Sequence, residues 1–341
     1  MKKRLILGTL ITLTAIFSAG IGIAQQNVLI NSDKQVFDAT ANKTVFEGNV
    51  KVAANGVNIT GKKAFVTLNE QGQPSLATIT GNPEAVKING ATKQVVTANV
   101  LKVSLLDNIA EAEGNVKSVI TDSGNPVAVI TSEYQQFDKN TGLIKANTNV
   151  KIDYKDIKTV SSKADITLNA AGKPEHVKLT GNANLKQGKS NVKANVLDFT
   201  PESNELVASG SSYSQTTLDD GTVAHIWAGV QQMSKANNSL IASEKVKVIY
   251  QDYLATGPKA VFLPDKSGQM NKIVMRGMST IVEGPRQVTA SKIEITINPK
   301  NFIAEGGVKT KFTQEQKSAT DTTSKEKTTK KKKEVHKKNN G

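Results

Sequence analysis

Few side chains in this sequence could do bond chemistry, and none stands in a constellation. Cysteine is absent, which removes thiolate nucleophiles, thiolate metal sites and disulfides. His176, His225 and His336 are the only histidines, and none has a neighbour at metal-ligand spacing. His176 falls at a repeat position held elsewhere by Ser75 and by Lys272 or its neighbour, so it reads as a surface strand residue. Gly188-Lys189-Ser190 looks like the end of a phosphate loop, but Ala183 stands where that pattern needs glycine. A hairpin turn is the simpler reading. Glu111 and Glu113 sit two apart on one solvated strand face. No G-x-S-x-G elbow occurs. These residue types predict no enzyme, no cofactor and no metal site.

What the chain does offer is apolar residues in a fixed rhythm. Gly48-Asn49, Gly81-Asn82, Gly114-Asn115, Thr148-Asn149 and Gly181-Asn182 recur at intervals of 33, 33, 34 and 33 residues, and Gly306 marks a weaker copy. A constant period of this kind means one supersecondary unit stacked many times. The runs between are rich in Val, Ile and Thr with two-residue alternation, and turns such as "NEQGQP", "DKNTG" and "NAAGKP" punctuate them. The unit is therefore made of strands. A larger period overlies the small one. Segments starting at 62, 162 and 258 align without gaps, as do those starting at 96, 192 and 288, giving three blocks of nearly 100 residues. The stretch from Asp219 to Tyr250 is the least regular.

The block alignment picks out one face. Val66, Ile79, Val103, Ile166, Leu179, Phe199, Ile273 and Ile295 share it, while the residues between them are mostly Lys, Thr, Asn or Glu. Apolar parity flips within each long run: Val96 and Ala98 are even, Leu101 and Val103 odd. A flip needs a bulge or a bend, expected near Asn99 and Gly61. The long strands should fold over at these bends into a curved, rolled sheet with two facing walls. Its interior is rich in alanine and short of aromatics. That composition fits either a thin closed sandwich core or an interior left open for a ligand.

The 341 residues begin with Lys2, Lys3 and Arg4 before an apolar run from Leu5 to Ala24. Residues 1–26 read as a signal peptide, or as an N-terminal anchor if uncleaved. Residues 27–315 form the strand repeats and 316–341 a Lys-rich tail with too few apolar residues to fold alone. Of the formal charge of +14, the leader carries +3 and residues 317–341 carry +6, which leaves +5 for the body. With 4% aromatic residues as well, the body does not read as a nucleic-acid binder.

The repeat, seen in "GKKAFVTLNEQGQPSLATITGNPEAV", "TANVLKVSLLDNIAEAEGNVKS" and "SSKADITLNAAGKPEHVKLTGNANL", resembles the OstA-like family of periplasmic lipopolysaccharide-transport proteins, of the LptA, LptC and LptD N-terminal domain type. The resemblance covers roughly residues 32–312. It implies an all-β fold, an elongated twisted β-jellyroll built from tandem antiparallel strand repeats, located in the periplasm. It further implies that the eight interior residues above contact the acyl chains of lipopolysaccharide or a related glycolipid. Other jellyroll transport proteins would join by edge-strand addition, making a bridge between inner and outer membranes. The chain is longer than one such domain needs and ends in the Lys-rich tail, which offers contact with a membrane surface. Nothing in the sequence binds nucleotide, so directional movement would draw on an ATPase elsewhere. A different reading is a structural β-repeat protein of the envelope, closed inside and presenting a polar Thr/Lys/Asn face to polysaccharide or protein.

Overall fold

The computed structural model describes residues 28–313 apart from 55, 155, 170–173, 218–220, 235 and 267–269. The leader and the Lys-rich tail lie outside the described residues. Within them there are 22 strands in one antiparallel sheet and no helix. Spatial order follows chain order: from Lys43–Ala54 to Arg286–Thr296, each rung pairs with the rung before it and the rung after it. Turns join neighbours tightly. Gln187 pairs with Ser190, so Gly188-Lys189 is the two-residue tip of a hairpin, not a phosphate loop. Asp38 Oδ1 accepts the amides of Thr40 and Ala41, and Asp138 Oδ1 accepts those of Asn140 and Thr141, so one cap recurs in two blocks.

The Gly-Asn repeat is the crease of the sheet. In Lys43–Ala54 the register skips between Glu47 and Val50, so Gly48 and Asn49 together oppose Lys62. Both have left-handed backbone, φ 77° and 46°. The same two-against-one step occurs at Thr148-Asn149 opposite Ser162, and at Gly210-Ser211 opposite Asn195. Each is a bulge that bends the strand; the bulged strand keeps its parity through the crease, and the opposed strand, one residue shorter there, changes parity, as Val57 and Ile59 give way to Ala64 and Val66. In Leu143–Tyr154, Ile144 and Ala146 before the crease and Val150, Ile152 and Tyr154 after it are buried in one cluster. The two halves of a strand therefore face one interior, which makes the two walls of the jellyroll. Three rungs toward the N-terminal end break fully at the crease: Leu29–Asn31 from Lys34–Asp38, Pro74–Thr80 from Glu84–Asn89, and Thr92–Thr97 from Val100–Ser104. Asn99 sits at the last of these breaks, as parity required; at the other expected position, the unpaired bend residue is Lys62 rather than Gly61.

A crease frees main-chain carbonyls on the interior side, and buried serines take them up. Ser132 donates to Tyr134 O at 3.0 Å, Ser161 to Lys163 O at 2.9 Å and Ser212 to Ala228 O at 3.0 Å. The stretch whose sequence is least regular folds as regularly as the rest, into Val223–Ser234 and Ser239–Tyr250. There Glu244-Lys245 forms the left-handed pair, φ 70° and 53°. Room for the Glu244 side chain comes from Gly229 on the neighbouring strand, where an added Cβ would meet it. The crease is conserved in geometry while its glycine has changed strands.

Candidate functional site

The interior is not uniform along the roll. Buried side chains form three clusters, running from Phe46 to Val116, from Ile120 to Ala208 and from Ala224 to Ile295. Between the first two lies a Ser-Gln pair: Ser118 Oγ donates to Gln135 Oε1 at 2.6 Å, and Gln135 Nε2 donates to Ile130 O. Between the second and third, Ser214 Oγ donates to Gln231 Oε1 at 2.6 Å, and Gln231 Nε2 to Ile226 O at 3.3 Å. The two pairs repeat at an offset of 96 residues. Gln135 and Gln231 are both buried, so each pair places a hydrogen-bonded polar contact in an otherwise apolar interior.

The first compartment is open. A cavity of about 300 Å³ is lined by Ile30, Phe46, Val66, Ala77, Ile79 and Val103, among others. Small-molecule sites occupy roughly 300–1,000 Å³, so this volume is at the low end of that range. A smaller cavity of about 80 Å³ continues from it past Ile59, Leu101 and Val103 to Ser118, Gln135 and Phe137. The N-terminal strand contributes Val28 and Ile30 to the wall, so the large cavity reaches the edge of the sheet.

All eight residues expected on the interior face point inward. Val66, Ile79, Ile166, Leu179, Phe199, Ile273 and Ile295 are buried and Val103 is half-buried. They do not share one environment. Val66, Ile79 and Val103 line the large cavity. Ile166, Leu179 and Phe199 belong to the second packed cluster, and Ile273 and Ile295 to the third, and these five line neither cavity.

The reason is side-chain volume. At matched positions of the three blocks, Val66 becomes Ile166 and then Phe262, and Ala77 becomes Val177 and then Ile273. Val103 becomes Phe199 and then Ile295. The later blocks fill the space that the first leaves empty, since interiors close to about the density of organic crystals when side chains allow it. The alternation identified the face; the growth in volume along the blocks was the signal for where it is open. Phe46, Ile30 and Ile59 were not singled out by sequence, because the aligned segments begin at 62 and 96 and leave all three outside.

Few ionisable groups reach the cavities: Lys102 and Glu111 line the smaller one and Lys139 the larger. His176 pairs with Asp198 at 2.5 Å on the surface, and Lys102 with Glu113 at 2.6 Å. Tyr134 Oη donates to Glu111 Oε1 at 2.7 Å; burial and that carboxylate push the phenol up from its usual value. Glu111 Oε1 also accepts from Gln136 Nε2 at 3.0 Å, so this carboxylate is a hydrogen-bond acceptor beside the smaller cavity. Among the described residues there is no cluster of His, Cys, Asp or Glu able to hold a metal.

Among the described residues, two sheet edges are open. Leu29–Asn31 and Lys34–Asp38 pair only with Lys43–Ala54, and Asn301–Glu305 and Lys309–Phe312 pair only with Arg286–Thr296. The ends do not pair with each other. Leu29, Phe37, Ile303 and Phe312 are exposed along them.

No curated protein matches the chain. Among solved structures it is similar to LptH, described as the LptA homologous periplasmic component of the conserved lipopolysaccharide transport device from Pseudomonas aeruginosa. That likeness has 14% identity and a TM-score of 0.29, and covers 33% of this chain and 77% of the other. Residues 29–205, more than half of the sequence, match the family described as LptA/(LptD N-terminal domain) LPS transport protein. The repeated creased strand, the two-walled roll and this match together place the chain in the LptA/LptD N-terminal domain family of lipopolysaccharide-transport proteins.

Proposed function

We propose that the chain is a periplasmic carrier that seats lipopolysaccharide acyl chains in the first compartment and joins other jellyroll proteins through its two open edges, as part of outer-membrane biogenesis. The observation that carries this reading is the cavity of about 300 Å³, apolar on its interior face and continuous with an open sheet edge. No bond is made or broken. Each methylene moved from water into the cavity contributes about 0.8 kcal/mol. The open edges offer unpaired amides and carbonyls to a strand of a neighbouring roll, which would extend both the sheet and the interior. The Lys-rich tail adds contact with anionic lipid, worth at most about 1 kcal/mol per lysine.

The test transfers the closing residues of the later blocks into the first. The Val66→Phe, Ala77→Ile double variant fills the cavity with the residues that stand at Phe262 and Ile273. It is expected to keep its fold by circular dichroism and to lose co-purifying acylated glycolipid in native mass spectrometry. A photo-crosslinker at Ile79 or Val103 should trap lipid, and one at the outward-facing Lys63 should not. Lipid retained by the folded double variant would mean that the acyl chains sit elsewhere. A closed structural protein showing a polar face is the competing reading, and absence of glycolipid from the parent protein would favour it.

A further inference from the structure

The outer wall carries a feature that neither the cavity nor the edges use. Four adjacent strands, from Ser190–Thr200 to Ser239–Tyr250, align Lys193, Tyr213, Trp227 and Lys247 in one cross-strand row. The adjacent row holds Asn191, Gln215, His225 and Ile249. The alternate residues Ser212, Ser214, Ile226, Ala228, Val246 and Val248 are buried, so both rows lie outside. Trp227 is the only tryptophan in a chain with 4% aromatics.

The rings form a cluster. Tyr213 and Trp227 have centroids 5.2 Å apart with 44° between planes, and His225 stacks on Trp227 at 5.8 Å with 21° between planes. The Lys247 ammonium lies 5.1 Å from the Trp227 centroid. Tyr213 Oη is 3.0 Å from Gln215 Oε1, to which it donates, and 2.9 Å from His225 Nδ1. A hydroxyl has one proton, so His225 Nδ1 is the donor to Tyr213. In the uncharged Nδ1–H tautomer Nε2 carries a lone pair, and the Gln215 amide keeps its NH₂ as a donor. Lysines stand at both ends of the aromatic row, and neither row contains a carboxylate.

An aromatic ring cluster suits the C–H face of a pyranose. An acceptor and a donor beside it suit neighbouring hydroxyls, and the flanking ammonium groups suit a phosphate or carboxylate substituent. We propose that this face binds an anionic saccharide, a sugar chain carrying phosphate or carboxylate. The site is separate from the cavity by about six strand steps of ~4.8 Å, and it does not rest on the carrier reading. Single-stranded nucleic acid also stacks on rings. The small charge of the body and the paired donor and acceptor favour the saccharide.

Trp227 reports on the site directly, since no other tryptophan contributes to emission. The full chain would be titrated with a deacylated, phosphorylated lipopolysaccharide core oligosaccharide while tryptophan fluorescence is followed. A saturable change is expected. Tyr213→Ala, the Lys193→Gln, Lys247→Gln pair, and removal of phosphate from the sugar should each weaken binding about tenfold, as loss of a charged hydrogen bond does. The Val66→Phe, Ala77→Ile variant should bind the sugar as the parent does, which separates this site from the cavity. No saturable change overturns the proposal. So does unchanged affinity in the folded variants, or tighter binding of a single-stranded oligonucleotide or an acidic peptide. If Tyr213→Ala does not fold, the exposed lysine pair decides.

Discussion

Gly181 shows how much a single position in the crease carries. Its φ is +83°, and an added Cβ would lie 2.6 Å from Ser162 Oγ and 2.7 Å from Ser162 Cβ. Gly188, at a hairpin tip with φ +54°, has open space around it. Gly181→Ala combines backbone strain with a clash and should cost about 1–3 kcal/mol in urea unfolding. Gly188→Ala meets strain alone and should cost about 1 kcal/mol. Core positions separate in the same manner. Ile166→Ala removes a buried side chain from a filled cluster, with an expected loss of about 2–5 kcal/mol. Val103→Ala enlarges a space that already exists, so little packing is lost, and less than about 1.5 kcal/mol is expected. At this scale alternation made the inward faces legible. The Ser-Gln pairs were not legible, because Ser118, Gln135, Ser214 and Gln231 have the composition of an outer face, and Gln135 and Gln231 turn inward only through the change of parity at their creases.

At the scale of the strand, the terminal edges decide what the sheet can join. The Thr313 amide donates to Pro285 O at 2.9 Å across the ladder to Arg286–Thr296. Alternation along an antiparallel strand then points the amides of Lys309 and Lys311 inward and those of Thr310 and Phe312 outward. Val308 lies in the link between the last two strands, so proline there would test the link and not the edge. Thr310→Pro removes an outward donor only, which edge strands tolerate. It should leave the melting temperature within about 2 °C and abolish pull-down of a jellyroll partner docking at the C-terminal edge. Pull-down at parental strength by the folded variant would show that this edge is not the joint. Strand positions and the hairpin at 188–189 were readable from turn residues and alternation. Val223–Ser234 and Ser239–Tyr250 looked irregular because the crease glycine had moved to Gly229, a change that a linear motif does not follow.

The whole molecule places its charges on the surface, and its pH response follows from that. Hydrogen bonds from Lys63 to Glu47, Thr141 to Asp138, Lys300 to Asp252 and Lys292 to Glu294 each hold a carboxyl below its ordinary value. A carboxyl lowered by folding adds stability that is full above its unfolded value and lost as pH falls through the folded one. Burial raises Tyr134, and Tyr253 rises for the same reason first. Their contribution is full below the unfolded value of 10.0 and lost as pH climbs toward the raised one. The melting temperature should therefore be nearly flat between about pH 6 and 9, with gentle declines below about pH 4 and above about pH 10. The acid limb should be shallow because these carboxyls are solvent-screened.

Because neighbours in space are neighbours in sequence, the molecule behaves as a one-dimensional array. The free energy of such an array is a sum over adjacent rungs, and its ends fray without consulting the middle. Amide hydrogen exchange should be slowest between about residues 143 and 200, in the filled second cluster. It should quicken toward both edges, and more steeply on the N-terminal side, where three rungs are broken at the crease and the interior is hollow. The end that opens most readily is then the end that holds the cavity. Opening there would spend only local stability, so a bulky tenant could enter or leave while the remaining rungs stay zipped and serve as the anchor.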